Sequence, residues 1–405
     1  MEKSLRLIRS DKIAAYKNLA NLYEWRDGKA YLIIDRVSFQ GKNGAILCYY
    51  NPPVHQVGNQ ELDAYLEGLS RVIDNKDSIN FLILCGANDP VHAGGDLRES
   101  LSNIDKTLEM KREKEERGAR ADEIDRLFDW ADNRLKKGIA LHRSIRELSG
   151  LVRVVAICGG GTRFGGSAEI PLMADFLVGD SRSGMCFSEA MIGLIPGWAG
   201  IARILIKSGP HNAAYMAKSG KEIKANKLKE IGVYNEVVEI SSGFPRREDT
   251  GNQELDKANH REALDIHNEE TSLLLIPKGL ELATRPLKEI PRVDDVDRAN
   301  LGENEDISVE VARRATPGNY AHLWGKPLRE VQEEINNLGR PLAPQSIEAL
   351  NELLEGCDPS RLDEYAFAEK EMGADARLYR DSRYRAGVVA TLSQTVADFR
   401  LLEGS

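Results

Sequence analysis

The chain has 405 residues, of which 41% are hydrophobic and 29% charged, which is typical of a folded globular protein and excludes a disordered or fibrous one. The 64 acidic residues outnumber the 55 basic ones and leave a net charge of −9, which argues against a protein that binds nucleic acid through bulk positive charge. The 5 cysteines are dispersed and form no CxxC pair, so we expect neither a disulfide framework nor a zinc ribbon. A reducing cytoplasm is then the simplest compartment, since the sequence also lacks an apolar run of membrane-spanning length and an apolar signal-peptide core.

Strands and helices alternate after a polar N-terminal extension, which we predict over residues 1–44. Short apolar runs predict strands at Tyr31–Ile34, Ala45–Tyr50, Phe81–Cys85, Val152–Cys158 and Phe176–Gly179. Leucines at helical spacing predict an amphipathic helix over residues 59–75, and Ala168–Ala174 is predicted to be a buried helix. This alternation predicts an α/β core with a mostly parallel sheet over residues 45–240.

Two segments interrupt this pattern. Residues 105–137 are highly charged yet keep apolar residues at helical spacing, which predicts a helical insertion over residues 101–138. We favour a solvated helix hairpin or a subunit contact over the alternative, a binding site. Residues 241–339 are polar and are predicted to form an inserted subdomain, and residues 340–405 a C-terminal helical region.

Two glycine-rich turns carry the clearest chemical signal. One contains Gly95 and follows the strand at residues 81–85, and the other contains Gly166 and follows the strand at residues 152–158. Backbone N–H groups of two such turns can converge on one oxygen and stabilise negative charge on it, although glycines that only form tight turns would look the same. If Gly166 opens a helix, the helix N-terminus adds positive potential there.

Two glutamates lie in apolar surroundings. Glu169 follows Gly166 by three residues, and Glu189 lies in the apolar run 187–192. Carboxyl groups in such company are rarely buried without a purpose, and a facing pair can position a water molecule and relay its protons. The alternative for each glutamate, considered alone, is an ordinary solvent-facing side chain.

Several ordered blocks resemble the crotonase (enoyl-CoA hydratase/isomerase) superfamily. Residues 93–97 resemble its first oxyanion segment, and residues 165–175 resemble the second, a glycine-rich turn that enters a helix. Residues 187–197 are similar to the block around the family's second glutamate. The resemblance covers roughly residues 45–100, 139–240 and 340–399. It implies a crotonase-like (ββα) spiral core with a C-terminal helical region and two helical or irregular insertions.

The resemblance also implies a role for each matching residue. Gly95 and Gly166 would supply the N–H pair of an oxyanion hole for a thioester oxygen, and Glu169 and Glu189 would be the catalytic acids and bases. The residues expected to contact substrate are Ala93, Asp96, Phe164 and Trp198.

The expected activity is hydration or dehydration of an enoyl-CoA thioester by a lyase, because isomerase-type members commonly keep only the second glutamate. The long insertions suggest a bulky or cyclic acyl group, and fatty acid or aromatic acid metabolism as the setting. One alternative on the same scaffold is a hydrolase of CoA thioesters or C–C bonds, of the 3-hydroxyacyl-CoA or ring-opening type. Gly197, however, stands where the 3-hydroxyisobutyryl-CoA hydrolase branch has an aspartate. An isomerase, or a non-catalytic structural or RNA-associated subunit, completes the alternatives.

No metal or separate cofactor is expected, since coenzyme A enters as part of the acyl-CoA substrate. By resemblance we expect a homotrimer or homohexamer, with neither nucleic acid nor membrane as a partner.

Overall fold

The computed structural model describes residues 21–26, 29–49, 51, 55–86, 94–241, 243–286, 299–303 and 307–400. None of the helices within these ranges is both long and apolar enough to cross a membrane.

The described residues form a seven-stranded sheet in the order β1-β2-β3-β4-β5-β7-β10 and a three-stranded sheet in the order β6-β8-β9. The strands are β1 (Asn21–Arg26), β2 (Lys29–Phe39), β3 (Lys42–Tyr49), β4 (Phe81–Gly86), β5 (Arg153–Cys158), β6 (Thr162–Phe164), β7 (Phe176–Asp180), β8 (Gly184–Cys186), β9 (Ile223–Lys224) and β10 (Glu236–Val238). Strands β1 to β3 pair antiparallel, whereas β3, β4, β5, β7 and β10 are parallel neighbours. The prediction of a mostly parallel α/β sheet is therefore confirmed.

Helices follow most of these strands. They are α1 (Asn59–Asp74), α2 (Leu97–Glu116), α3 (Ala121–Asp125), α4 (Asp129–Ser149), α5 (Gly166–Leu172), α6 (Gly200–Ser219), α7 (Ala225–Glu230), α8 (Gln253–Thr284), α9 (Ile307–Arg314), α10 (Gln332–Leu338), α11 (Pro344–Leu354), α12 (Glu364–Tyr379) and α13 (Ser382–Ser393). A 3₁₀ turn at Glu189–Met191 matters for the site.

The parallel register brings the two glycine-rich turns to one edge of the sheet. Leu84 of β4 lies opposite Leu47 of β3 and Ala156 of β5, so β4 and β5 point the same way at matched height. Parallel neighbours in register end at the same edge of the sheet. Residues 94–96 and 165–166 therefore lie next to each other despite being about 70 positions apart in sequence.

Both faces of the large sheet are covered. On one face, helices α1 and α12 both pack against α4. Helix α8 covers the other face, where Leu275, Ile276 and Leu280 are buried among residues that include Ile83 and Ile157. Helix α8 comes from the segment predicted as an inserted subdomain. The domain boundaries themselves stay a prediction.

Candidate active site

The two glycine-rich turns contact each other directly. The backbone N–H of Gly94 donates a hydrogen bond to the hydroxyl of Ser167, at 3.0 Å. Gly94 has a φ of 88°, and a Cβ there would lie 2.6 Å from the carbonyl oxygen of Phe164. Only glycine fits such a conformation at so close a backbone approach. The turn around residue 94 is therefore fixed against the turn that leads into α5.

A cavity of about 270 Å³ opens where these turns meet. It brings together six of the eight residues predicted for the site, namely Gly95, Phe164, Gly166, Glu169, Glu189 and Trp198. Asp96 is not among the lining residues, because its carboxylate caps α2 by accepting the N–H groups of Arg98 (2.9 Å) and Glu99 (3.0 Å). Ala93 lies outside the described residues.

The backbone amides of Gly95 and Gly166 have no acceptor among the described residues. Val57 forms backbone hydrogen bonds with Gly94 and Asp96, the two neighbours of Gly95, and none with the N–H of Gly95 itself. Gly166 is the first residue of α5, where N–H groups have no partner inside the helix. The indole ring of Trp198 covers Gly166 so closely that a Cβ there would lie 2.4 Å from Cζ3. The N–H groups at both predicted positions therefore lie beside the cavity without an acceptor from the described part of the chain.

Glu169 is buried on α5 and is held by two backbone N–H groups. Its Oε1 accepts hydrogen bonds from Trp198 (2.8 Å) and Gly200 (3.2 Å), and the side chain is only 3% exposed. Burial raises the pKa of Glu169 from 4.5 to about 7, although the two N–H groups favour the ionised form and oppose part of that rise.

Glu189 faces the same cavity but has fewer hydrogen-bond donors around it than Glu169. It begins the 3₁₀ turn and is buried, and neither of its carboxyl oxygens has a hydrogen-bond partner in the described part of the chain. Burial, and then the negative charge of Glu169, raise the pKa of Glu189 well above its ordinary value. The carboxyl lies close to Gly165, where a Cβ would be 3.1 Å from Oε1. The two glutamates are therefore a pair with unlike surroundings.

The cavity wall also contains polar residues that sequence reasoning missed. Arg134, Asp375, Tyr379 and Tyr384 line it, and they come from α4, α12 and α13. Asp375 is buried, accepts the N–H of Ile195 at 3.0 Å, and has its pKa raised above the ordinary value by burial. An acid within an apolar run is the signal for Glu169, whereas Asp375 lies on a helix with several other charged residues and does not stand out in the sequence.

Part of the predicted insertion over residues 101–138 belongs to this wall. The interpretation of the insertion as a solvated hairpin or a subunit contact stays a prediction, but it does not account for Arg134, whose side chain is 4% exposed and faces the cavity. Within the described ranges, no group of three or more histidine, cysteine, aspartate or glutamate side chains is arranged to hold a metal ion.

Part of the chain is similar to known proteins. Residues 136–243 match the family model of enoyl-CoA hydratase/isomerase. Ethylmalonyl-CoA decarboxylase of Danio rerio is 32% identical over 83 residues, which are 20% of this chain and 28% of that protein. The peroxisomal bifunctional enzyme of Homo sapiens is 25% identical over 195 residues, which are 48% of this chain and 22% of that protein. The match thus spans about a quarter of the length of each relative.

One solved structure shares the fold over most of both chains. It is a carnitinyl-CoA dehydratase from Mycobacterium thermoresistibile, with a TM-score of 0.51 and 14% identity over 89% of this chain and 91% of that one. The predicted fold class, a crotonase-like core with a C-terminal helical region, is confirmed. The resemblance to the crotonase (enoyl-CoA hydratase/isomerase) superfamily is thus supported over residues 136–243 by the family model and over most of the chain by the shared fold.

Proposed function

We propose that the protein adds water to the conjugated double bond of an enoyl-CoA thioester, or removes it in the reverse direction. The observation that carries this proposal is the joint presence of Glu169, Glu189 and the amides of Gly95 and Gly166 around one cavity. Hydration needs a base for water, an acid for Cα and donors for the thioester oxygen, and these four groups are of the required kinds.

The unlike surroundings of the two glutamates support a division of roles. Glu169 keeps two N–H donors that stabilise its ionised form, which suits a base. Glu189 has no donor among the described residues and faces the charge of Glu169, which favours its neutral form and suits an acid. Environments that drive the pKa values of two neighbouring acids apart are how one site holds both a base and an acid at neutral pH.

The reaction then proceeds as follows. The carboxylate of Glu169 takes a proton from water while the water oxygen bonds to Cβ. The π electrons of the Cα–Cβ bond move toward the thioester carbonyl, whose oxygen becomes negative and accepts the N–H groups of Gly95 and Gly166. Neutral Glu189 gives its proton to Cα as the enolate collapses. A proton passing from Glu169 to Glu189 by way of solvent restores the starting state.

The substrate brings its own electron sink, so the proposal includes no metal and no cofactor apart from the coenzyme A portion of the substrate. Phe164 and Trp198 offer apolar surface to the acyl group, and Phe164 is 37% exposed. A bulky or cyclic acyl group remains part of the proposal.

The test is turnover of crotonyl-CoA and of a cyclic dienoyl-CoA, followed by loss of enoyl absorbance. We expect Glu169→Gln and Glu189→Gln each to lower kcat by about 100-fold or more with little change in thioester affinity, as removal of an acid or base does. Glu230→Gln, at a half-exposed position paired with Lys227, is the matched control and should leave turnover unchanged.

Other outcomes of the same assay separate the alternatives. Release of free coenzyme A without loss of the double bond would indicate a hydrolase, and a double-bond shift without water uptake an isomerase. Decarboxylation, the reaction in the name of the Danio rerio relative, is checked with ethylmalonyl-CoA. Full turnover in both glutamine variants would defeat the assignment of the two glutamates.

A further inference from the structure

Arg134 is a buried cation from α4, outside the segments whose roles the family resemblance covers. It lies in the charged insertion, yet its side chain is 4% exposed and reaches the cavity wall beside the turn that contains Gly95. Its nearest carboxylate is that of Glu99, 3.9 Å away. A guanidinium so deeply buried needs hydrogen bonds to offset its lost hydration. The groups that accept those bonds show which parts of the chain Arg134 holds in place.

The two hydrogen bonds that Arg134 donates hold segments that contact the turn around Gly95. One terminal nitrogen donates to the carbonyl of Val57 at 3.0 Å, and the other donates to the hydroxyl of Ser100 at 2.9 Å. Val57 pairs with the turn itself, since it donates to the carbonyl of Gly94 (2.9 Å) and accepts the N–H of Asp96 (3.3 Å). The guanidinium therefore links the segment around Val57, which forms an isolated bridge with the turn, to the helix into which the turn leads.

The same group occupies the space where a side chain at position 95 would lie. A Cβ on Gly95 would be 2.6 Å from Nη2 of Arg134, which is too close for any residue but glycine unless the arginine moves. Ser100 adds a second tie, because its hydroxyl donates to the carbonyl of Asp96 at 2.9 Å. Arg134 thus packs against Gly95, while Val57 and Ser100 form hydrogen bonds with the neighbouring residues Gly94 and Asp96.

We propose that Arg134 is a positioning residue that holds the Gly95 N–H in line for the thioester oxygen, so that the charged insertion is part of the catalytic unit. This inference rests on the proposed function, since it gives Gly95 the oxyanion role. The planar fork of arginine reaches two acceptors at once, which the single ammonium of lysine does not reproduce.

A chromophoric thioester reports on this geometry without turnover. 4-(Dimethylamino)cinnamoyl-CoA is a donor–acceptor conjugate whose absorbance moves to longer wavelength when hydrogen bonds polarise its carbonyl. We expect a red shift on binding to the wild-type protein, and loss of most of that shift in Arg134→Lys and Arg134→Gln. Affinity for the probe should change by less than about threefold, and kcat for the enoyl substrate should fall by about 10- to 100-fold at nearly constant KM, as when an oxyanion donor is displaced.

Three further variants make the result specific. Arg143→Gln removes an exposed arginine of the same helix, paired with Glu369 on the surface, and should keep the full shift. Glu169→Gln should keep the shift but lose turnover. Ser100→Ala removes one of the two acceptors of Arg134 and should give an intermediate shift even if the Arg134 variants fail to fold.

The outcomes separate the two proposals. A full red shift in folded Arg134 variants, or in Ser100→Ala if they do not fold, would overturn the positioning role and leave the proposed function standing. A wild-type protein that binds the probe without any shift, or does not bind it, would overturn the proposed function, and the role of Arg134 with it.

Discussion

At the scale of single residues, the site depends on two carboxyl groups that the fold treats differently. Glu169 exchanges water for two backbone N–H groups, whereas Glu189 loses water and gains no hydrogen-bond partner in the described chain. Both are buried, and desolvation is the largest cause of the raised pKa in each case. An account based on burial alone would make them equivalent, and the hydrogen bonds to Glu169 are what distinguish the pair.

The raised pKa of Glu169 predicts a pH-dependent cost to stability. Its pKa is 4.5 when exposed and about 7 in the folded protein. Between those values the unfolded chain has lost a proton that the folded protein keeps, so the free energy of unfolding falls as pH rises through this window. With about 1.4 kcal/mol per pKa unit, the loss is roughly 3 kcal/mol by pH 8.

Glu169→Gln should escape this loss, because the glutamine does not titrate and keeps an oxygen for the N–H groups of Trp198 and Gly200. We expect the variant to gain on the wild-type protein by roughly 3 kcal/mol between pH 4.5 and pH 8, measured by urea unfolding at a series of pH values. A difference that stays constant over this range would mean that Glu169 ionises at an ordinary pKa in the folded protein.

The sequence predicts those site residues that stand out among their immediate neighbours in the chain. Glycine and glutamate at Gly95, Gly166, Glu169 and Glu189 are conspicuous locally, since a glycine-rich turn or an acid in an apolar run stands out in a few residues of sequence. Arg134 is one of many charged residues in its segment, and nothing in the local sequence distinguishes it. Its burial depends on distant acceptors, Val57 above all, that only the folded chain brings near.

At the scale of elements, the parallel strands were predictable and the long helix across the sheet was not. β4, and β5 after its first residue Arg153, are continuously apolar, as strands buried on both faces are. Helix α8 lies in a polar segment, and its apolar residues cluster only near its C-terminal end. The sequence indicates that something covers both faces of the sheet, but not that residues 253–284 supply the second cover.

Helix α8 should contribute strongly to stability through that cover. Leu280 is 0% exposed and packs among the sheet residues of the second face. We expect Leu280→Ala to lower the free energy of unfolding by about 2–5 kcal/mol, because it removes buried methyl groups and leaves a cavity. Chemical denaturation measures the change.

Leu274 on the same helix is the matched control, since it is 56% exposed. Leu274→Ala should change stability by less than about 0.5 kcal/mol. Equal effects of the two substitutions would show that α8 does not pack on the sheet as described.

At the scale of the whole molecule, the cavity is assembled from parts of the chain that are far apart in sequence. The sheet edge supplies the glycine-rich turns, α4 supplies Arg134, and the C-terminal helices supply Asp375, Tyr379 and Tyr384. The aromatic rings of Tyr379 and Tyr384 meet edge to face, with centroids 4.8 Å apart. The insertion and the C-terminal region therefore complete a wall that the core mostly supplies, and local sequence patterns do not predict this joint role.

In the proposed reaction this cavity forms an enolate from a thioester while one glutamate activates water and the other protonates Cα. Mass spectrometry and NMR of the product formed from crotonyl-CoA in D₂O test this reaction. We expect 3-hydroxybutyryl-CoA with one deuterium on Cα, and little of it with Glu189→Gln. Unreacted crotonyl-CoA, or free coenzyme A with the acyl double bond intact, would contradict it.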